Sequence, residues 1–246
     1  RSAGVLVISG LVYSALSDHR LPMIQGAEVV LTLDETTQSD RLGSWRERLR
    51  ERLNRNPEDA KSWYLLGHAA LKLSDASAAA QAFAKTNALV ENDVSVKFYW
   101  LQARLMANNG QLDNVSERLA NQLLSMDPNN SPVLELLSVT MMQRGDLHQA
   151  IRYMNRAITA SGNVDRQIAL ASAITVLRGR LDAKAPHIAV SVTATAEPED
   201  RAVVFVVARP PGGGMPYAAV RRPAAMLPFN LQLDHLVSMS EGRSLS

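Results

Sequence analysis

Catalytic chemistry finds few footholds in this sequence. The five histidines, His19, His68, His148, His187 and His235, are scattered, with no second histidine or carboxylate at metal-ligand spacing and no HExxH. Cysteine is absent, which excludes disulfides, thiol chemistry and sulfur ligation of a metal. A serine nucleophile would need an elbow such as GxSxG, and there is none. Gly212-Gly213-Gly214 is not followed by Gly-Lys-Ser/Thr and has no strand-to-helix context, so it reads as a long hairpin loop, not a phosphate cradle. Glu197, Glu199, Asp200, Arg209, Asp234 and His235 lie near the C-terminal loops, but no motif joins them. The sequence therefore predicts no catalytic residue, no metal site and no cofactor.

What remains is recognition. Lys61, Lys72, Lys97 and Arg104 can hold carboxylates, Tyr64, Trp100, Val139 and Met142 can cover an apolar face, and His68 and Glu135 add polar contacts. These residues fall on the first helices of a pattern that is written three times between about Asn56 and Ser161. In the first copy Trp63, Leu66 and Gly67 are followed by Ala79 and Phe83. In the third, Leu134, Leu137 and Ser138 precede Ala150, Met154 and Ala157. A degenerate middle copy carries Trp100 and Ala103, and its turn Gly110-Gln111-Leu112-Asp113 matches Gly145-Asp146-Leu147-His148. The landmarks follow the tetratricopeptide pattern of about 34 residues, in which small residues sit where paired helices touch and large apolar ones fill the gaps. Such an array grips a peptide or a helix in the concave face lined by its first helices. Here that wall is basic at one end and apolar at the other, which suits an amphipathic helix or a chain terminus. The alternative reading makes Tyr64 and Trp100 inter-repeat core and leaves the lysines solvated.

The rest of the chain frames this array. At 246 residues with 46% hydrophobic content it has material for one large or two modest domains. Lys plus Arg exceeds Asp plus Glu by only 26 to 24, and aromatics make up 5%, so nucleic acid is not an expected partner. Ala3 to Leu16 is an unbroken uncharged run, shorter than the roughly 20 residues that span a bilayer. With Arg1 in place of a methionine, the run is read as the end of a transmembrane helix, the other readings being a signal-peptide core or a buried helix. Residues 17–38 read as a linker in which Val29-Val30-Leu31 could add a short strand or pack in passing. From Ser39, Leu42, Trp45, Leu49 and Leu53 form the stripe of a helix that stacks on the first repeat, and interleaved arginines and glutamates make its solvated face. Asn56 and Ser131 are candidate helix caps beside Pro57 and Pro132. Ile168, Ala171, Ile174 and Leu177 mark a closing helix, so the repeat domain with its flanking helices spans 39–182.

At Pro186 the period changes from helical to two. Ile188, Val190 and Val192 alternate with polar or small residues, Ala202 to Ala208 reads as a strand buried on both faces, Tyr217 to Val220 is a shorter candidate, and Phe229, Leu231 and Leu233 alternate again. The fold class is mainly α: a tetratricopeptide solenoid followed by a β domain of about four strands over 185–246.

The C-terminal string is specific. Val204-Phe205-Val206-Val207-Ala208-Arg209, Gly212-Gly213-Gly214-Met215-Pro216, Ala219-Val220-Arg221-Arg222, Leu227-Pro228, Leu231-Gln232-Leu233-Asp234 and Leu245-Ser246 stand in this order. They resemble the C-terminal periplasmic domain of the cytochrome c maturation proteins of the CcmI/CycH type. The resemblance extends to Tyr13, the linker, Leu53-Asn54-Arg55-Asn56-Pro57 and the Trp63-x-x-Leu66-Gly67 repeat. It departs at Tyr217, where the family usually has Leu, at Arg221-Arg222, often Lys-Arg, and at Asp234-His235, often paired Asp. The resemblance implies an inner-membrane protein with most of this chain in the periplasm. It would hold haem-free apocytochrome c by its C-terminal helix and present it to the haem-ligation subunits of the maturation system. The other reading is a scaffold that assembles membrane subunits without touching the client.

Overall fold

The computed structural model describes residues 29–34, 38–181, 187–199 and 202–237. The expected transmembrane stretch Ala3 to Leu16, most of the linker, Asp200 and the terminal Leu245-Ser246 lie outside them. The chain forms two compact units, Arg1–Met126 and Asp127–Ser246.

In the first unit, α1 (Val29–Thr32) precedes α2 (Ser39–Arg55), α3 (Ala60–Lys72), α4 (Ala76–Leu89), α5 (Val94–Ala107) and α6 (Asn114–Met126). The expected stripe on α2 is realised: Leu42, Leu49 and Leu53 are buried with Leu65, Leu66, Ala69 and Ala82, and Trp45 packs beside them. The segment expected to be a linker is, at 29–34, part of this core. Val29–Thr32 is a helical turn and not a strand, and Val30 and Leu33 are buried because apolar residues one turn apart face α2 and α3 together. Gly67 is required by contact. A Cβ there would stand 2.7 Å from Phe83 Cζ, so a side chain on α3 would collide with the ring that α4 inserts.

Aspartate caps set the helix starts. Asp59 accepts from Ser62 N, Asp75 from Ala78 N and Asp93 from Ser95 N and Val96 N. Asn56, expected to cap α3, instead ends α2, donating its N–H to Arg52 O, and Pro57 lies in the intervening turn with its carbonyl accepting from Trp63 Nε1 at 2.8 Å. Asp59 wins the cap because it also receives Arg52 Nε at 2.6 Å and Ser62 Oγ at 2.7 Å. Burial alone would raise this carboxyl, but those hydrogen bonds and the Arg52 charge hold it below the usual carboxylate range.

The second unit comprises α7 (Ser131–Gln143), α8 (Leu147–Ala160), α9 (Val164–Arg178) and four strands, β1 (Ile188–Val192), β2 (Val203–Ala208), β3 (Ala218–Pro223) and β4 (Phe229–Leu233). Asn130 and not Ser131 caps α7, accepting from Val133 N, since Ser131 is already helical and turns its hydroxyl to Glu135. α7 and α8 bury Leu134, Leu137, Ala150, Ile151, Met154, Ala157 and Ile158, and α9 adds Leu170, Ala171, Ile174 and Leu177. Two antiparallel pairs form, β1 with β4 and β2 with β3, in registers that oppose Val190 to Leu231 and Val206 to Val220. Their shared core is Ala218, Val220, Leu233 and Val237, with Val190, Val206, Ala208 and Leu231 against it.

The strand expected to be buried on both faces is not. Phe205 is 65% and Val207 37% exposed, because a two-stranded sheet meets the core on one face only. β3 also runs past Val220 through Pro223, since Arg221 Nη1 donates to Ile158 O and Arg222 to Asn155 Oδ1, tying its end to α8. The triple-glycine loop is the expected chain reversal. Gly212, Gly213 and Gly214 have φ of 94, 90 and 104°, and Tyr217 N donates to Ala208 O to close the hairpin. Among the described residues no helix is long and apolar enough to cross a membrane.

Candidate peptide-binding surface

The expected groove residues separate into distinct environments. On α3, Tyr64 is fully buried and His68 6% exposed. Both belong to an aromatic cluster with Phe83 and Tyr99, in which the His68 ring lies 4.5 Å from Tyr64, 5.2 Å from Phe83 and 4.4 Å from Tyr99. Burial, reinforced by the nearby Lys72 charge, pushes the His68 imidazole down to about 3, so it is neutral at physiological pH, and its Nε2 is buried without a partner. Lys72 Nζ donates to the carbonyls of Leu31 and Leu33 at 2.9 and 2.7 Å, holding the end of α1 to α3. Lys61 is buried as well.

On α5, Lys97 is buried and donates to Asn87 Oδ1 at 3.1 Å. Arg104 pairs with Asp113, whose carboxyl the Ser116 backbone N–H and the Arg104 guanidinium hold down to about 2. Trp100 is half-buried against the aromatic cluster, with its Nε1 enclosed and unpaired. In the second unit, Glu135 takes Arg166 Nε at 2.5 Å, an ion pair that raises the Arg166 guanidinium, while Val139 is 44% exposed and Met142 half-buried.

The caps reveal the register that the landmarks blurred. Counted from Asp59, Asp93 and Asn130, Tyr64 and His68 correspond to Phe98 and Gln102 on α5 and to Glu135 and Val139 on α7. Lys97, Trp100 and Arg104 occupy other positions on α5. The equivalent of Lys72 on α5 is Met106, which is 50% exposed, and Phe98 and Gln102 are half-buried. Sequence reading missed Phe98, Gln102 and Met106 because Trp100 served as the landmark, whereas the Asp93 cap was the signal that would have found them. Within the first unit, Phe98, Gln102 and Met106 therefore form a partly open, largely apolar strip along one helix. Such a strip can take the apolar face of a helix but offers no reacting group. Among the described residues no cluster of three or more His, Asp or Glu side chains could hold a metal ion.

Comparison with known proteins places this architecture. A model of the cytochrome c-type biogenesis protein H TPR domain matches residues 30–168, and one of the Ig-like domain of the same protein matches 186–246. The cytochrome c-type biogenesis protein CycH of Pseudomonas aeruginosa strain PAO1 is 28% identical over 218 residues, which is 81% of this chain and 54% of that protein. A putative cytochrome c-type biogenesis protein CcmH of Haemophilus influenzae strain Rd is 26% identical over 102 residues, 42% of this chain and 22% of its own length. The chain thus spans about half the length of the first of these relatives. A solved structure of a MamA double mutant shares the helical fold at 16% identity with a TM-score of 0.50, covering 66% of this chain and 88% of its own. With both domain models matched in order along most of its length, the chain belongs to the cytochrome c-type biogenesis protein H family.

Proposed function

We propose that this chain is the client-holding part of a cytochrome c-type biogenesis protein. It binds haem-free apocytochrome c through the client's C-terminal helix and passes the client to the haem-ligation subunits. It does so on the periplasmic side of a bacterial inner membrane, to which the uncharged run Ala3 to Leu16 anchors it. The observation that carries the reading is the strip Phe98, Gln102 and Met106, a partly open, largely apolar track at the helix positions where such arrays take a peptide. Physical chemistry supports the division of labour. Without haem a cytochrome cannot complete its core, so its terminal amphipathic helix stays available, and folding around attached haem withdraws it. Release then requires no nucleotide.

The test is binding of the whole chain to a labelled peptide of a c-type apocytochrome's C-terminal helix, beside a scrambled peptide of equal composition. The native peptide binds at micromolar affinity or tighter, the scrambled one does not, and Met106→Glu weakens binding at least tenfold while Lys97→Glu changes it less. Equal binding of both peptides, or equal affinity for apo- and holocytochrome, overturns the reading in favour of a scaffold. That second reading draws on Phe205, an aromatic ring 65% exposed on the outer face of β2, which suits docking of a fellow subunit. Fusion of a reporter active only outside the cytoplasm to residue 246 checks the placement.

A further inference from the structure

The second unit contains a cavity of about 810 Å³ between α9 and the β1–β4 pair. Its walls are mixed: Ile174 from α9 and Phe229 and Leu231 from β4 are apolar, while Thr175, His187, Asn230 and His235 are polar. Two arginines line it, and their guanidinium groups are provided for unequally. Arg178 is held in a bidentate pair with Asp234, Nη1 to Oδ2 at 2.5 Å and Nη2 to Oδ1 at 3.2 Å. Arg222, only 7% exposed, donates to Asn155 Oδ1 at 3.3 Å from both terminal nitrogens and to Arg221 O at 2.9 Å, all neutral acceptors. Among the described residues that line the cavity, Asp234 is the only carboxylate, and Arg178 occupies it. A buried cation without a counter-charge is costly, and here the cost is visible: burial, then the charge of Arg178, pushes the Arg222 guanidinium down to about 10. Among the described residues, Arg222 has no carboxylate partner.

The strands indicate what would supply one. β1 lines the cavity with the consecutive residues Ala189, Val190 and Ser191, and β4 with Phe229 through Gln232. Successive side chains of a strand point to opposite faces, so a cavity touching consecutive residues meets peptide groups of the strands as well as side chains. Among the described residues β1 and β4 pair only with each other, which leaves each with one open edge. An extended chain can add its own peptide groups to such an edge. We propose that this cavity is a binding site for the C-terminus of an extended, apolar peptide, whose terminal carboxylate pairs with Arg222 and whose side chains lie against Ile174, Phe229 and Leu231. The site belongs to the second unit, the α5 strip to the first, and it does not depend on the apocytochrome reading.

The experiment uses the whole chain and a fluorescein-labelled Ala-Val-Leu-Val-Leu peptide, either with a free C-terminal carboxylate or as its amide, and decanoate as a competitor. The free acid binds at micromolar Kd, the amide at least tenfold more weakly, and decanoate at the peptide's concentration does not displace it. Arg222→Gln brings the acid down to the level of the amide. Ala189→Trp, at an exposed position of β1, abolishes binding of both. Met106→Glu leaves this binding unchanged, which separates the site from the helix-binding strip. Equal affinity of acid and amide overturns the proposal, as does failure of both to bind, and displacement by decanoate reassigns the site to free aliphatic acids and overturns the peptide assignment. Should Arg222→Gln melt early by circular dichroism, the acid–amide comparison and Ala189→Trp carry the test on folded protein.

Discussion

The two compact units complete the cores around their helix pairs with different chemistry. In the first, the centre is Tyr64, His68, Phe83 and Tyr99, rings in edge and stacked contact, with the imidazole kept neutral by its surroundings. In the second, the helices meet the strands through guanidinium groups: Arg178 to Asp234, Arg221 to Ile158 O, Arg222 to Asn155. A ring cluster is stabilised by area and shape, so it is sensitive to volume. An ionic joint is sensitive to the loss of either partner, because the survivor stays buried and unpaired. The difference teaches where each unit is vulnerable, and it is measurable because all three tryptophans, Trp45, Trp63 and Trp100, lie in the first unit.

The largest effects come from striking each centre. Phe83→Ala removes the ring that fills the notch above Gly67 and is expected to destabilise the first unit by about 3–5 kcal/mol. The urea transition seen by tryptophan fluorescence then shifts well below that of the parent. Gly67→Ala, which forces a methyl group against the same ring, costs about 1–3 kcal/mol, and adding Phe83→Leu restores part of it. Asp234→Asn strands Arg178 and is expected to cost about 3–5 kcal/mol, displayed as faster amide exchange in α9 and β4 with the tryptophan transition little changed. Were Asp234→Asn to move the tryptophan transition as far as Phe83→Ala does, the units would unfold as one body and the contrast would collapse.

Much of the fold was legible because it is written in period and spacing. The α2 stripe, the Gly67–Phe83 contact and the four strands follow from apolar residues at intervals of three to four or of two. What was not legible depends on partners distant in the chain. Nothing near Lys72 announces that the carbonyls of Leu31 and Leu33 will take its ammonium, nor does Arg178 advertise Asp234. The outward Phe205 and Val207 hid the alternation of β2 behind an all-apolar run. On α5 the tryptophan suggested one register and the Asp93 cap dictates another, since a cap fixes the first turn whereas a large side chain fits several positions on a helix. Tyr64 and His68, chosen as groove residues, keep their register on α3 but are covered by Phe83 and Tyr99 and lie in the aromatic interior, as the alternative reading had it for Tyr64.

A mid-sized effect tests the neutrality of the ring cluster. His68 has its folded-state pKa depressed from the ordinary 6.5 to about 3, so between these values the unfolded chain binds a proton that the folded one refuses. Stability is therefore complete above pH 6.5 and falls as the pH drops toward 3, by about 1.4 kcal/mol per unit once below the unfolded value. Between pH 7 and pH 5 the first unit should lose about 2 kcal/mol in tryptophan-monitored urea melts. His68→Phe removes that slope, and an unchanged slope in the variant would assign the loss to other groups.

The smallest effect sharpens the contrast at a place where the units are alike. Asp75 caps α4 through Ala78 N at 3.0 Å, and Asp146 caps α8 through Gln149 N at 3.1 Å. Each carboxylate satisfies one otherwise orphaned amide at a helix start and lies at the positive end of the helix dipole, independent of whether rings or guanidinium groups fill the core behind it. Asp75→Ala and Asp146→Ala are thus each expected to cost about 1 kcal/mol. The first is read by the tryptophan transition and the second by amide exchange in α8. Replacement by Ser keeps most of the stability in both, because a hydroxyl can accept the same bond. If Asp75→Ala proved several-fold more costly than its counterpart, the Arg46 guanidinium 4.0 Å from Asp75 would be adding a further ionic tie at α2 to that of Arg52 with Asp59, and the contrast between the two units would narrow there.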